Sequence, residues 1–467
     1  MIFKRKVFHP VSLIILLAVG ITFFNCKPEE EIIDVDFNNG LEFSTDTIFF
    51  DTVFTGIGSA TKRFKVFNPS HNALIINSIE LGAGKSSSYR ILVNGTEPNS
   101  SEDLLILGKD SVLILVEVFI NPEDEDSPFL VNDSIIFNTN GISQNIKLIA
   151  WGQDANYIGD EVLQCNTNWT NNRPYVIYSS ILVDTLCELT IDKGTRIYAS
   201  KEAFLYVKGT LITEGTAEER IIFRNDRLDH QYENLAGQWG GLVFLEGSHG
   251  NNINFTTIRN AVFGVRLGSP DKDTIPDVIL RNCIIENMSN SGILAFTSDL
   301  YAENTLINNC IELICGNIAG GNYIYKHCTF ANYGFTISRK TPSLYITDYI
   351  DLDDNSSIEE AIFLQIQNSI IDGNMEDELL FDFRNGENNV LALNNNIFKT
   401  TISDLDTLGN ILNEDPEFIE PVLYNYRLDT LSPAKDQGAL IGVEFDLDGN
   451  QRDELPDLGA YERIEPD

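Results

Sequence analysis

TTIRN (256–260), CIIEN (283–287), TLINN (305–309) and CTFAN (328–332) are four versions of one phrase. Their starts are 27, 22 and 23 residues apart, and each ends in an asparagine: Asn260, Asn287, Asn309 and Asn332. SIIDG (369–373) and NIFKT (396–400) are weaker echoes. A period of this size carrying short β runs predicts a parallel β-helix, one coil per repeat. A single coil cannot bury its own apolar face, but a stack of coils can. Ile258, Ile285, Ile307 and Phe330 share one register and are expected to point inward as a ladder. The asparagines fall at the following bend, where an amide can bond to backbone or to the next asparagine. A leucine-rich repeat would need LxxLxLxxN spacing, which the chain lacks. Roughly ten coils fit between Val162 and Leu440 at this period.

Upstream of the repeats the pattern is different. TDTIFFDTVF (45–54), KRFKVFNP (62–69), ALIINSIEL (73–81), SVLILVEVFINP (111–122), DSIIFNT (133–139) and NIKLIAWG (145–152) alternate apolar and polar residues. Asn, Pro, Gly and Ser separate them, which is the spacing of a β-sandwich. Phe-Asn-Pro after an early strand and Asp-Ser-Ile-x-Phe-x-Thr-Asn-Gly before the last one resemble Ig-like domains of the ciliary and centrosomal type. That resemblance implies a spacer or adhesive module. In the second region PYVIYSS (174–180), LTIDKGTRIY (189–198), LYVKGTLITEGT (205–216), QWGGLVF (238–244), SPAKDQG (432–438) and LDGNQRDELPDLGAYE (447–462) resemble bacterial right-handed parallel β-helix repeat proteins of the pectin-lyase-like fold. The fold class expected is therefore all-β: a right-handed parallel β-helix of about ten coils preceded by an Ig-like β-sandwich. Such folds host lyases, hydrolases, epimerases and adhesins, so the resemblance does not choose an activity.

The N-terminus gives an address. Lys4, Arg5 and Lys6 precede an apolar run, Val11 to Phe24, that is short for a membrane span and suited to a secretory signal. Cys26 at its edge resembles the lipobox cysteine of bacterial lipoproteins, and Glu29–Glu31 resembles the surface-export signal of Bacteroidetes lipoproteins. These resemblances imply an acylated Cys26 and a lipid-anchored, extracytoplasmic protein at the outer membrane, on the cell surface. The expected organisation is a signal peptide (1–25), an acidic tether (26–40), the sandwich (41–155), the β-helix (160–440) and a C-terminal capping segment (441–467).

Sixty-nine acidic residues face 32 basic ones, a net charge of −37. Such a surface repels nucleic acid, which is excluded as a partner. Five histidines and no CxxC pair leave little to build a metal or haem site, and no cofactor is expected. Cys165 and Cys187 fall one coil apart, and a disulfide between them suits the compartment. Cys283, Cys310, Cys315 and Cys328 read as small apolar core residues.

Loops between coils are the natural carriers of chemistry. RNDRLDHQYENLAG (224–237) offers Asp226, Asp229 and His230; GSPDKDTIPD (268–277) offers Asp271 and Asp273; Asp299 precedes Leu300-Tyr301; and TPSLYITDYIDLDDNSSIEE (341–360) interrupts the repeat. The first three are expected to share one face if they form a site. Acidic residues in solvated loops are ordinary in so acidic a chain. Asp446, Asp448 and Asn450 have the 1, 3, 5 spacing of a calcium loop. Glycine stands at position 4 of that loop and Arg452 beside it, so a capping turn is the favoured reading, with Arg452 paired to an aspartate and LGAYE sealing the last coil. The sequence favours a non-catalytic surface lipoprotein that presents a β-helix to a glycan or another surface protein. A polysaccharide-degrading lyase or glycoside hydrolase using loop carboxylates, and a structural envelope protein, are the alternatives.

Overall fold

A computed structural model describes residues 31–36, 39–98, 103–268, 275–334 and 339–464. Cys26, Asp271 and Asp273 lie outside these residues. The chain divides into two compact units. Of the described residues, the first holds those up to Phe50 together with those in Gly56–Asn121 and Leu130–Trp151; the second holds Asp51–Thr55, Pro122–Phe129 and those from Gly152 onward.

The first unit is built from a four-stranded sheet (Glu42–Phe43, Lys62–Phe67, Ser111–Val118, Tyr89–Val93) and a five-stranded one that includes Leu74–Leu81 and Phe129–Thr139. Strict alternation explains the packing. Val112, Ile114, Val116 and Val118 are buried while the residues between them are not. Phe137 of the five-stranded sheet meets Phe43 and Phe64 of the other, with ring centroids 5.1 and 6.3 Å apart. The two sheets therefore share one core.

The second unit is a β-helix-like stack of parallel strands. Eleven strands, from Asn156–Ile158 to Ile411–Leu412, form one sheet, each paired in parallel with the copy one coil on. The remaining two sides of each coil join into a 16-stranded sheet, because Ser291–Glu303 and Leu313–Lys326 run unbroken through the bend between them. Tyr175, Ile197, Phe223, Ile258, Ile285, Ile307, Phe330, Ile371 and Phe398 stack in one inward register. Ile258, Ile285, Ile307 and Phe330 are fully buried, as the phrase alignment predicts. The bend facing this ladder has no room for side chains. A Cβ on Gly264 would stand 2.4 Å from Ile285 Cγ2 and 2.4 Å from the Gly292 carbonyl. Cys165 and Cys187 form a disulfide with Cα atoms 4.4 Å apart, and Cys283, Cys310, Cys315 and Cys328 are buried free thiols.

The C-terminal segment corrects two expectations. It does not seal the last coil, and residues 458–462 form no strand. It lies lengthwise on the outside of the 11-stranded sheet. Phe418, Tyr426, Leu458 and Tyr461 cluster with Leu306, Ala331, Ile370 and Ile397, which belong to four successive coils. The reason is apolar surface. The outward positions of these coils are aliphatic and must be covered, whereas the final coil is closed by the partly buried Phe381, Phe383, Leu405 and Leu412. Arg452 pairs with Glu462 at 3.0 Å, not with an aspartate, and also donates to the carbonyls of Asp457 and Gly459 and to Asn304 Oδ1. Polar ties continue along the strap: Asn304 donates to the Phe445 carbonyl, Gly459 N–H to the Asn368 carbonyl and Ala460 N–H to Thr329 Oγ1.

Candidate functional site

The asparagines that end the repeated phrase build one corner of the stack. Asn260, Asn287 and Asn309 take left-handed backbone, at φ 65, 61 and 51°. Asparagine tolerates that conformation better than other non-glycine residues, which explains its recurrence at the bend. Their amides form a partial ladder. Asn260 donates to Asn225 Oδ1 at 2.8 Å and Asn287 to Asn260 Oδ1 at 3.3 Å. Beyond it the ladder changes partner: the Tyr424 and Tyr426 hydroxyls donate to Asn287 and Asn309, and Asn332 donates to the Cys310 carbonyl.

Along this corner runs a cleft of about 790 Å³. Asn287, Asn309 and Asn332 form its floor; Asn234–Ala236, Tyr333 with Arg339, Asn374–Met375 and the strap residues Pro421, Val422 and Tyr424 form its walls. Arg339 is held by a buried ion pair with Glu378, which also accepts from Ser343 N–H and Oγ and from Met375 N–H.

The fourth residue of each phrase points outward beside the cleft. In register these are Arg259, Glu286, Asn308, Ala331 and Asp372, with Lys399 next. Arg259 meets Glu286 at 3.2 Å, and burial pushes the Glu286 carboxyl up. Asp372 accepts the Tyr333 hydroxyl at 2.6 Å and lies 3.8 Å from Lys399 Nζ. Burial pushes its carboxyl to about 6, against the pull of Tyr333 and Lys399. Asp415, an exposed residue of the strap, raises both Asp372 and Tyr333 through its charge. Aligning SIIDG on CIIEN sets Asp372 on the Glu286 position; that alignment is the signal in the sequence that points to it.

Among the described residues, Asp226, Asp229 and His230 do not converge with Asp299. Asp226 accepts the Ser200 hydroxyl at 2.5 Å and is pushed up by burial. Asp229 lies 3.7 Å from Arg227, and the exposed His230 ring meets Glu233 at 3.0 Å. These three belong to the turn that leaves the 11-stranded sheet. Asp299 is buried at the next bend, inside Ser291–Glu303, where it accepts from the backbone and side-chain amides of Asn322 and donates its own N–H to Asp277. One side of the coil separates the two bends. The 224–237 loop does reach the cleft, but through Asn234, Leu235 and Ala236. The calcium-like triplet is occupied by protein. Asp446 accepts N–H groups from Asp448, Asn450 and Glu462, and Asp448 pairs with Arg427 at 2.6 Å. Among the described residues no group of three or more His, Cys, Asp or Glu is gathered to hold a metal ion.

A family model described as a pectate-lyase like beta helix domain matches residues 161–273. No curated protein matches the sequence. Among solved structures, a family 123 glycoside hydrolase from Clostridium perfringens shares 11% identity over 25% of this chain and 30% of its own, with a TM-score of 0.20. The E. coli chaperone DraB shares 12% over 24% of this chain and 54% of its own, with a TM-score of 0.17. The chain thus spans about a third to a half of those two proteins.

Proposed function

We propose that this protein is a polysaccharide-degrading enzyme of the parallel β-helix class and that its substrate lies in the asparagine-floored cleft. The observation that carries the reading is Asp372, which stands behind the cleft wall, accepts the hydroxyl of the wall residue Tyr333 and feels the charge of Asp415. Asp372 is buried with its carboxyl near 6, and Asp415 beside it is exposed. Two carboxylates in unlike environments suit a division into general acid and general base. Asp372 would protonate the leaving glycosidic oxygen, and Asp415 would activate water or attack the sugar. The pectate-lyase like match supports the class, and the amides and tyrosines of the cleft suit a hydroxyl-rich ligand. The test is product analysis on plant, host and microbial polysaccharides. Asp372→Asn keeps an acceptor for Tyr333 and is expected to lower product formation by about 10²–10⁴, the range of general acid catalysis. Products formed equally by the variant would refute the assignment.

A second reading is glycan binding without cleavage. It is favoured by the commitment of Asp372 Oδ1 to Tyr333 and Lys399. Specific retention on a glycan array with no products would select it. In either case the address proposed is a surface lipoprotein, acylated at Cys26, with the N-terminal unit as an Ig-like spacer and the outer membrane as its anchor. Labelled palmitate incorporation that survives Cys26→Ala would refute that part.

A further inference from the structure

We infer that the cleft selects neutral polysaccharide and rejects polyuronate. The inference rests on the cleft being the glycan site, and it concerns what charge the ligand carries. Among the described residues, the cations held against the cleft's walls are paired with carboxylates, while the exposed Lys340 next to Arg339 and Arg224 near Arg259 lie outside the lining. Arg339, the one charged residue among the described residues of the lining, is bound to the fully buried Glu378. Arg259, which donates to Asn234 Oδ1 at 2.6 Å, is paired with Glu286, and Lys399 faces Asp372. No positive charge is left over to meet an acidic sugar among these groups.

The field acts in the same direction. The chain carries −37 formal charges, one of them the exposed Asp415, whose charge reaches Asp372. A polymer with a carboxylate on each residue would meet repulsion all along its length. What the cleft does present is amide. Asn234, Asn287, Asn309, Asn332 and Asn374 all line it. Each side-chain amide supplies both a donor and an acceptor, which matches the hydroxyl groups of a sugar and not a charged carboxylate. Three of these amides recur once per coil, at a spacing of about 4.8 Å per rung. A linear glycan lying along the stack therefore meets a similar group at successive steps. Tyr333 and Tyr424 add ring surface at the two walls.

The experiment measures binding to the full-length chain carrying Asp372→Asn, so that no ligand is consumed. The probes are a panel of neutral plant, host and microbial polysaccharides, plus two pairs that differ in charge: methyl-esterified against de-esterified homogalacturonan, and hydroxyethyl against carboxymethyl cellulose. Asn332→Ala reports whether binding uses the cleft, and Asn374→Lys adds an unpaired cation at its exposed edge. Neutral members are expected to bind at least about tenfold tighter than acidic ones at low salt, with the gap narrowing as salt rises. Asn374→Lys is expected to narrow the gap as well. Acidic ligands binding more tightly, with sensitivity to Asn332→Ala, would overturn the inference and leave the cleft as the site. Binding of the panel that is indifferent to Asn332→Ala, or no binding at all, would overturn the cleft assignment and the inference with it.

Discussion

Replacing Arg452 by alanine should release the strap from the stack. Its side chain is only 2% exposed, and its partner Glu462 only 4%. The guanidinium satisfies four acceptors: Glu462 Oε2, Asn304 Oδ1 and the carbonyls of Asp457 and Gly459. Removing one partner of a buried ion pair typically costs about 3–5 kcal/mol. Glu462 keeps two backbone donors, Asp453 N–H and Asp457 N–H, which places the cost toward the lower end. A loss of about 3 kcal/mol raises the open population of the strap by roughly 150-fold, at 1.36 kcal/mol per decade. Limited proteolysis under native conditions reads that population directly when opening is fast. Cleavage is expected within residues 430–455, accelerated about a hundredfold or more, while the stacked strands stay intact. Glu462→Gln should have a smaller effect, since its amide oxygen still accepts from Arg452. If Arg452→Ala leaves strap cleavage at the wild-type rate, the strap is not held by this pair and the reasoning fails.

Three further outcomes follow from the packing. Gly264→Ala places a methyl 2.4 Å from a backbone carbonyl and from Ile285 Cγ2, so a loss of about 1–3 kcal/mol is expected in urea unfolding, and Ile285→Val should not recover it because valine keeps that methyl. Replacing Cys165 and Cys187 with serine removes a cross-link spanning 22 residues, worth about 3 kcal/mol by loop entropy, and should lower the urea midpoint of the second unit. His327 is buried, with Asn368 donating to Nε2 at 2.8 Å and the Asp457 carbonyl near Nδ1; burial holds its imidazole well below the usual histidine range. Its folded value is depressed, so the unfolded chain takes the proton first. The contribution is present above about pH 6.5 and is lost on acidification at up to about 1.4 kcal/mol per pH unit. His327→Gln should flatten that limb. Asp372 works in the opposite sense, because its raised carboxyl is protonated first in the folded chain between pH 6 and 4.

Much of the stack is legible because its register is local and periodic. Ile258, Ile285, Ile307 and Phe330 align by phrase alone, and a β-sheet period leaves them one face to occupy. The strap is not legible in that way. Arg452 and Asn304 are 148 residues apart, and nothing in 413–464 repeats. Only the aliphatic outward positions Leu306, Ile370 and Ile397 hint that something must cover them. The cleft was half visible. Its asparagine floor lies in the repeat, whereas its walls come from an insertion at 234–236 and from the strap at 421–424. Asp226, His230 and Asp299 drew attention by residue type, yet type does not tell which bend of the coil a loop occupies. Asp372 sits in a weak echo of the phrase, and its significance arises from burial, Tyr333 and Asp415, which no spacing reveals.

The most direct test of the cleft is hydrogen exchange with and without the neutral polysaccharide that binds best. Protection is expected to be confined to a discontinuous set recurring coil by coil: 234–236, 287, 309–311, 332–334, 374–375 and 421–424. Protection centred instead on 226–233, on 345–359 or on the first unit would contradict it.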